Sequence, residues 1–591
     1  DLILRSVCII FDVVTTLLSV GAFCRTACNS VLEPPVLFTI FVPDTKKQPA
    51  MKRYIAILLL LTGLAATARA REVFPINEGW RFFFKSEKTS DNARHVTLPH
   101  SWNTDPLAQG YWLETTGNYQ NGMYIPAEWA SKRLFVKFYG VQSVADLFVN
   151  GNYVGTHRGG ATAFTFEITD KVRFGTDNAM LVVVSNSYRD DVLPTSTDMN
   201  LYGGIYRDVS LLLTDKVHVA PTDFGSPGVY LSTPEVTAER AAVEVRTLVA
   251  NSGTEPVRVR VEHRIVGPDG REAARAEDMA EIAAGSVAEQ LRRGITIASP
   301  RLWDIDEPNL YRVLTRIVAE DGRVLDEVSN PLGLRWFSFD PDKGFSLNGR
   351  PRKLVGTCRH QDYLGRGWAL HDEMHERDVR LIKEMGGNFL RVSHYPQDPV
   401  VMEMCDRLGI VASVEIPVVN AVIESREFLE NSVRMVREMV RQDFNHPSVM
   451  IWAYMNETLL RPPYTDEART KEYYKAIEHV ARTLEETIRR EDPARYTMIA
   501  FHNAPERYAA ARLTQIPMIQ GWNLYQGWYE KDITGFERIL DRLHAQYPDK
   551  VLIVTEYGAD VDFGHGMFGK LYPQIYGFFA IRCTLLKVNR R

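Results

Sequence analysis

Two glutamates stand where two apolar runs stop. Val449-Met450-Ile451-Trp452-Ala453-Tyr454-Met455 leads into Asn456-Glu457, and Val551-Leu552-Ile553-Val554-Thr555 leads into Glu556-Tyr557-Gly558. Two carboxyls facing each other across a pocket can cleave a glycosidic bond. One attacks the anomeric carbon and the other gives and takes the proton, with the pair about 5 Å apart in the retaining course. A single strand-end Glu would be read as bound to a neighbouring Arg or Lys. Two of them, each after an apolar run, point to function.

Other polar residues fall at equivalent places. Arg359-His360 follows a first run. Arg391 lies in a second, which His394-Tyr395 follows, and Glu415 ends a third. Trp522-Asn523-Leu524-Tyr525 follows the sixth. His360 and His394 are candidate partners for sugar hydroxyls, a structural role being the alternative. Arg391 is read as orienting a carboxylate, Tyr525 as hydrogen-bonded to the nucleophile, and Trp522 as a substrate contact.

The elements that must position these residues alternate. Candidate strands at 353–358, 388–393, 410–416, 449–455, 496–501, 517–523 and 551–555 are separated by helical stretches at 373–385, 428–443, 466–490 and 533–546. Near-continuous apolar strands alternating with amphipathic helices predict a parallel sheet covered on both faces. Seven such units favour a (β/α)8 barrel, whose active site collects at the C-terminal ends of the strands. In that barrel the Glu457 and Glu556 strands lie across from each other.

Upstream the texture is all-β. Leu134-Phe135-Val136-Lys137-Phe138-Tyr139 and Ala145-Asp146-Leu147-Phe148-Val149 read as strands, the second ending in the hairpin signal Asn150-Gly151. A second β region alternates more cleanly, as in Val257-Arg258-Val259-Arg260-Val261, and fits an immunoglobulin-like sandwich with one wet face. The expected domains are 71–215, 216–335 and 336–591.

Composition sets outer limits. The 591 residues are 45% hydrophobic and 24% charged, which excludes disorder, collagen and a coiled-coil rod for the bulk of the chain. A net charge of −5 leaves no basic footprint for nucleic acid. Of six cysteines, only Cys358 and Cys405 lie in the body, too few for a disulfide framework. Met51-Lys52-Arg53, the uncharged run 54–68 and Ala68-Arg69-Ala70 form a secretory signal pattern. The expectation is export to periplasm or medium with cleavage before Arg71 and no membrane span thereafter; a short membrane anchor is the alternative. Residues 1–50 then read as upstream, non-native leader. The sequence from Gly564 to Arg591 looks foreign, and a recognisable eighth β/α unit is missing, so a truncated or mis-read gene is expected.

At these residues the chain resembles glycoside hydrolase family 2, the β-galactosidases, β-glucuronidases and β-mannosidases. The resemblance rests on Asn150-Gly151 with Val154-Gly155 and Gly159-Gly160; on Gly203-Gly204-Ile205-Tyr206-Arg207-Asp208-Val209; and on Arg391-Val392-Ser393-His394-Tyr395-Pro396. It continues through Asn445-His446-Pro447-Ser448-Val449, Asn456-Glu457 and Thr555-Glu556-Tyr557-Gly558. It covers roughly 72–562 and implies a jelly-roll sugar-binding domain, an immunoglobulin-like domain and a TIM barrel. It also implies Glu457 as acid/base, Glu556 as nucleophile, Asn456 on the sugar 2-hydroxyl and Asp198 reaching into the barrel mouth from the first domain. His360, His394 and Tyr525 match family active-site positions. Pro417-Val418-Val419-Asn420 stands where some family galactosidases carry a magnesium-binding Glu-x-His, so neither metal nor cofactor is expected. The expected activity is a retaining exo-β-glycosidase acting on galactosides, because that activity is common in the family. Glucuronidase is second and mannosidase third. An inactive carbohydrate-binding protein is the rival of another class. A homo-oligomer is compatible with all of them.

Overall fold

The computed structural model describes residues 71–87, 93–104, 114–196, 199–530, 532 and 534–558. The leader, the signal pattern, the segment after Gly558 and Asp198 lie outside the described residues.

Chain direction gives three layers of architecture. The first is a sandwich of a six-stranded and a four-stranded sheet, from Arg71–Pro75 to Val209–Thr214, with Trp80, Tyr119, Leu134, Val136 and Leu147 buried between them. Its Asn150-Gly151 turn has both residues at positive φ (51° and 78°), the backbone twist that suits a two-residue hairpin between Val144–Val149 and Asn152–Arg158. The second is a pair of four-stranded sheets, from Val217–Val219 to Val324–Leu332. In Val257–Val266 the side chains of Val259, Val261, His263 and Ile265 are buried while the intervening residues face outward, as the alternation predicts.

The third is the barrel. Seven parallel strands pair in chain order: β1 (Gly356–Arg359), β2 (Phe389–Val392), β3 (Val411–Glu415), β4 (Val449–Asn456), β5 (Tyr496–His502), β6 (Ile519–Asn523) and β7 (Val551–Glu556). Six helices accompany them among the described residues: α1 (Asp372–Glu384), α2 (Pro399–Leu408), α3 (Arg426–Gln442), α4 (Glu467–Glu491), α5 (Pro505–Ala510) and α6 (Gly535–Gln546). No described helix is long and apolar enough to cross a membrane. Every residue of β4 is buried, which is why its sequence is apolar without alternation. The Cys358 thiol of β1 donates to the Thr555 carbonyl of β7 at 3.2 Å, so the first and last described strands touch.

The first sandwich is fixed to the barrel by buried polar contacts. His157 and Thr162 bind the Glu438 carboxylate of α3 at 3.0 and 2.6 Å. Arg207 donates to the Pro396 carbonyl at 2.9 Å, just beyond His394-Tyr395. Tyr202 and Tyr206 pack with Trp368 and Tyr395 beside the strand ends.

Candidate active site

β4 and β7 bring Glu457 and Glu556 to the same end of the sheet, and a chain of side chains links them. Arg391 of β2 donates from Nη1 to Glu556 Oε1 at 2.5 Å and from Nη2 to Asn456 Oδ1 at 3.0 Å. Asn523 donates to Asn456 Oδ1 at 3.2 Å and to Glu457 Oε1 at 2.8 Å. Asn456 Oδ1 thus accepts twice from protein, and no protein acceptor for its Nδ2 is found among the described residues. The amide is left to donate to a ligand hydroxyl.

Each strand end is shaped locally. β7 bulges where Trp522 pairs Val554 and Asn523 pairs Glu556, skipping Thr555. A bulge re-aims side chains, and here Thr555 Oγ1 is free to bind Asn523 Oδ1 at 2.7 Å. Glu457 has φ +52°, a left-handed conformation that costs a non-glycine residue energy and persists where surrounding structure enforces it. The enforcement is visible: Glu457 N donates to the Ala500 carbonyl of β5 at 2.8 Å. Pro417–Asn420 closes against β4 through Asn456 N to Val418 O (2.9 Å) and Asn420 N to Asn456 O (3.0 Å). That stretch therefore works as a backbone clamp on Asn456. No cluster of His, Cys, Asp or Glu suited to a metal ion occurs among the described residues.

The two carboxyls sit in opposite electrostatic settings. Burial pushes both toward the neutral form. Around Glu556 it is overcome by the Arg391 guanidinium, by His394 and by hydrogen bonds from Tyr525 and Arg391, which hold the carboxyl down at about 2. Around Glu457 burial wins. It is reinforced by the Glu556 charge and opposed by Asn523, and the carboxyl rises to about 7. At neutral pH one group is an anion and the other is poised to carry a proton.

A supporting layer fixes Arg391, which is 1% exposed. Glu415 of β3, equally buried, takes its Nε and Nη2 at 3.0–3.2 Å. The same carboxylate holds His394 Nδ1 at 2.5 Å, leaving His394 Nε2 3.7 Å from Glu556 Oε1. Tyr525 donates to Glu556 Oε2. Burial and the Glu556 charge raise the phenol, so it stays a donor. His360 lies with its ring 5.4 Å from that of His394 and its Nδ1 3.3 Å from Tyr395 Oη. Burial and His394 lower it to about 4, so it is neutral.

Of the residues expected from sequence, Glu457, Glu556, Asn456, Arg391, His360, His394 and Tyr525 come together. Trp522 does not and is a correction. Its side chain is fully buried against Phe501 and Tyr508, with Nε1 on Gln520 Oε1 at 3.1 Å, on the face of β6 turned toward α5. Successive strand residues face opposite ways, so the neighbouring Asn523 reaches the pocket instead. Asn523 had a signal that was passed over: like Asn456, it ends an apolar strand. Glu415 ended a strand too, but its role depends on a partner 24 residues away.

Removal of the Tyr525 hydroxyl gives a defined expectation. A hydrogen bond to a charged group contributes about 1.5–3 kcal/mol, so Tyr525→Phe should lower kcat/KM by roughly 10- to 100-fold. It should also move the acid limb of the pH profile upward, because Glu556 loses a group that holds its pKa down. An unchanged acid limb would remove Tyr525 from this role.

Residues 341–586 match the TIM barrel domain of glycosyl hydrolases family 2, residues 92–215 its sugar binding domain, and residues 229–335 the model described as glycosyl hydrolases family 2. A beta-glucuronidase of Bacteroides fragilis is 36% identical over 535 residues, covering 88% of this chain and 73% of the relative. A beta-galactosidase of Bacteroides ovatus is 28% identical over 529 residues, covering 82% and 59%. Among solved structures, beta-glucuronidase 2 of Bacteroides uniformis, covalently bound to cyclophellitol-6-carboxylate aziridine, superposes with a TM-score of 0.80 at 39% identity. The match covers 83% of this chain and 60% of that one, so the chain spans less than two thirds of the solved relative's length.

Proposed function

The chain belongs to glycosyl hydrolase family 2, and from that membership we propose that it is a retaining exo-β-glucuronidase. The observation that carries the chemistry is the unequal pair: Glu556 held ionised by Arg391, Glu457 raised to about 7. Glu556 attacks the anomeric carbon while Glu457 protonates the departing oxygen. Water, deprotonated by Glu457, then releases the sugar from Glu556. Asn456 Nδ2 serves the 2-hydroxyl, and His360 and His394 the remaining hydroxyls.

The sugar is argued from relatives. The 36% identity to a glucuronidase against 31% and 28% to two galactosidases favours a uronic acid over galactose, reversing the order of the sequence reading. The relative that carries a cyclophellitol-6-carboxylate adduct supports both a carboxylated sugar and a covalent intermediate. Hydrolysis of nitrophenyl β-glucuronide, β-galactoside and β-mannoside tests this. The glucuronide should turn over with kcat/KM at least about 100-fold above the others, a difference of about 2.7 kcal/mol. Preference for the galactoside would overturn the sugar assignment, and binding without turnover would favour the inactive lectin-like alternative.

The acid limb and the base limb have separate owners. kcat/KM needs Glu457 protonated, so it should fall above pH about 7 and stay level as pH drops until Glu556 begins to protonate near 2. Glu457→Ala should lose the base limb. It should also spare formation of the glycosyl-enzyme from dinitrophenyl glycosides while slowing poor leaving groups by about 10²- to 10⁴-fold. Equal slowing of both would show that Glu457 is not the acid.

A further inference from the structure

Away from the catalytic pocket the three domains meet around a cleft of about 640 Å³. Lys137 and Tyr139 line it from the first sandwich, Arg312 and Asn330 from the second, and Asp443 and His446 from the barrel. Much of its charge is already paired. His446 Nδ1 holds Asp406 at 2.6 Å, and Arg407 holds Glu403 at 3.0 Å.

Donors on Lys137 and Asn330 are not. Lys137 has no carboxylate within ion-pair distance among the described residues. Its ammonium donates to the Gly225 carbonyl at 2.9 Å and lies 5.0 Å from the Tyr139 ring centre, which leaves two N–H groups. Asn330 is 4% exposed; its Oδ1 accepts from Asn445 at 3.0 Å, while its Nδ2 has no partner. Buried donors of this kind are ordinarily satisfied. Asp443, raised by burial to about 6, adds a carboxyl that can accept from a hydroxyl.

We propose that this cleft is a second, non-catalytic binding site for a hexuronate. Among the described residues, Lys137 and Arg312 are two unpaired cations against the single unpaired carboxyl of Asp443, a balance that calls for one negative charge. A buried amide donor and a nearby carboxyl suit the hydroxyls of a sugar, and the volume falls within the roughly 300–1,000 Å³ range of small-molecule sites. The ligand's carboxylate lies on Lys137, and its hydroxyls are met by Asn330 Nδ2 and Asp443. None of these residues belongs to the catalytic machinery, so the inference stands whichever sugar that pocket takes.

Titration calorimetry with D-glucuronate tests it, comparing the full chain with Lys137→Met. One binding event of the unaltered protein should weaken at least tenfold in the variant, while kcat/KM for the chromogenic substrate stays within about twofold. D-glucose, which lacks the carboxylate, should bind the cleft at least tenfold more weakly than D-glucuronate. Crystals soaked in D-glucuronate should show the sugar against Lys137. Identical isotherms for the two proteins, or a soaked cleft holding only solvent, would overturn the proposal. If Lys137→Met does not accumulate as folded protein, the soaked crystal of the unaltered chain decides alone. A failed glucuronidase reading would show separately, in the substrate panel.

Discussion

Glu556→Gln should reduce kcat for the glycoside that the chain turns over by about 10⁴- to 10⁶-fold, the scale of loss when an enzymatic nucleophile is removed. The amide keeps the size of the side chain but cannot form the glycosyl ester. The geometry says why the charge sits there. Glu556 is 16% exposed and faces Arg391 at 2.5 Å, and Tyr525 binds its other oxygen. In the variant Arg391 keeps Glu415 on its remaining nitrogens, so the buried cation is still compensated and the fold should survive. The companion variant Glu556→Ala opens space for a small anion. Added azide should then restore turnover and yield the glycosyl azide of inverted configuration, because attack now comes from the Glu556 side without a covalent step. Retained activity above about 1% in the Gln variant, or a rescued product of retained configuration, would assign the nucleophile elsewhere.

The residues proposed for this chemistry were legible because they terminate strands. β4 is an apolar run that ends in Asn456-Glu457, and β7 is an apolar run that ends in Thr555-Glu556. What the sequence left out depends on single-residue geometry or on long-range contacts. The Trp522 reading failed by one step of the pleat, which sends Trp522 to α5 and Asn523 to Glu457. The bulge that skips Thr555 has no signature in Val551–Glu556 itself, since it arises from pairing with β6. Helix α2 is absent from the helical stretches expected from sequence, although Pro399 marks its head. At the first helical position, with Asp398 capping Val400 N and Gly409 closing at φ +66°, it is a start. Sugar identity was beyond composition and spacing altogether, because no residue read from the sequence selects galactose, glucuronic acid or mannose.

The network around Arg391 could be read only as a strand residue near a carboxylate, yet it makes the strongest claim on stability. Arg391→Met should destabilise the protein by about 3–5 kcal/mol, since removing one member of a buried ion set leaves its partners uncompensated. Glu415 would keep only His394 Nδ1 at 2.5 Å, and Glu556 only Tyr525 and the more distant His394 Nε2. Activity should fall as well, because burial would then push the Glu556 carboxyl up from about 2 with its main opponent gone. The sign of the pH dependence follows. A depressed carboxyl contributes stability that is present above its unfolded value of about 4.5 and is lost as pH falls toward 2. The gap in unfolding free energy between the two proteins should therefore narrow across that window. The double variant Arg391→Met/Glu415→Gln separates charge from packing. Neutralising Glu415 removes one of the two stranded carboxylates, so denaturant unfolding should show part of the lost stability returning while activity does not. If the double variant were no more stable than the single one, the loss would lie in packing around the guanidinium. Arg391 would then be a filler of the barrel axis rather than the counter-charge that keeps Glu556 an anion.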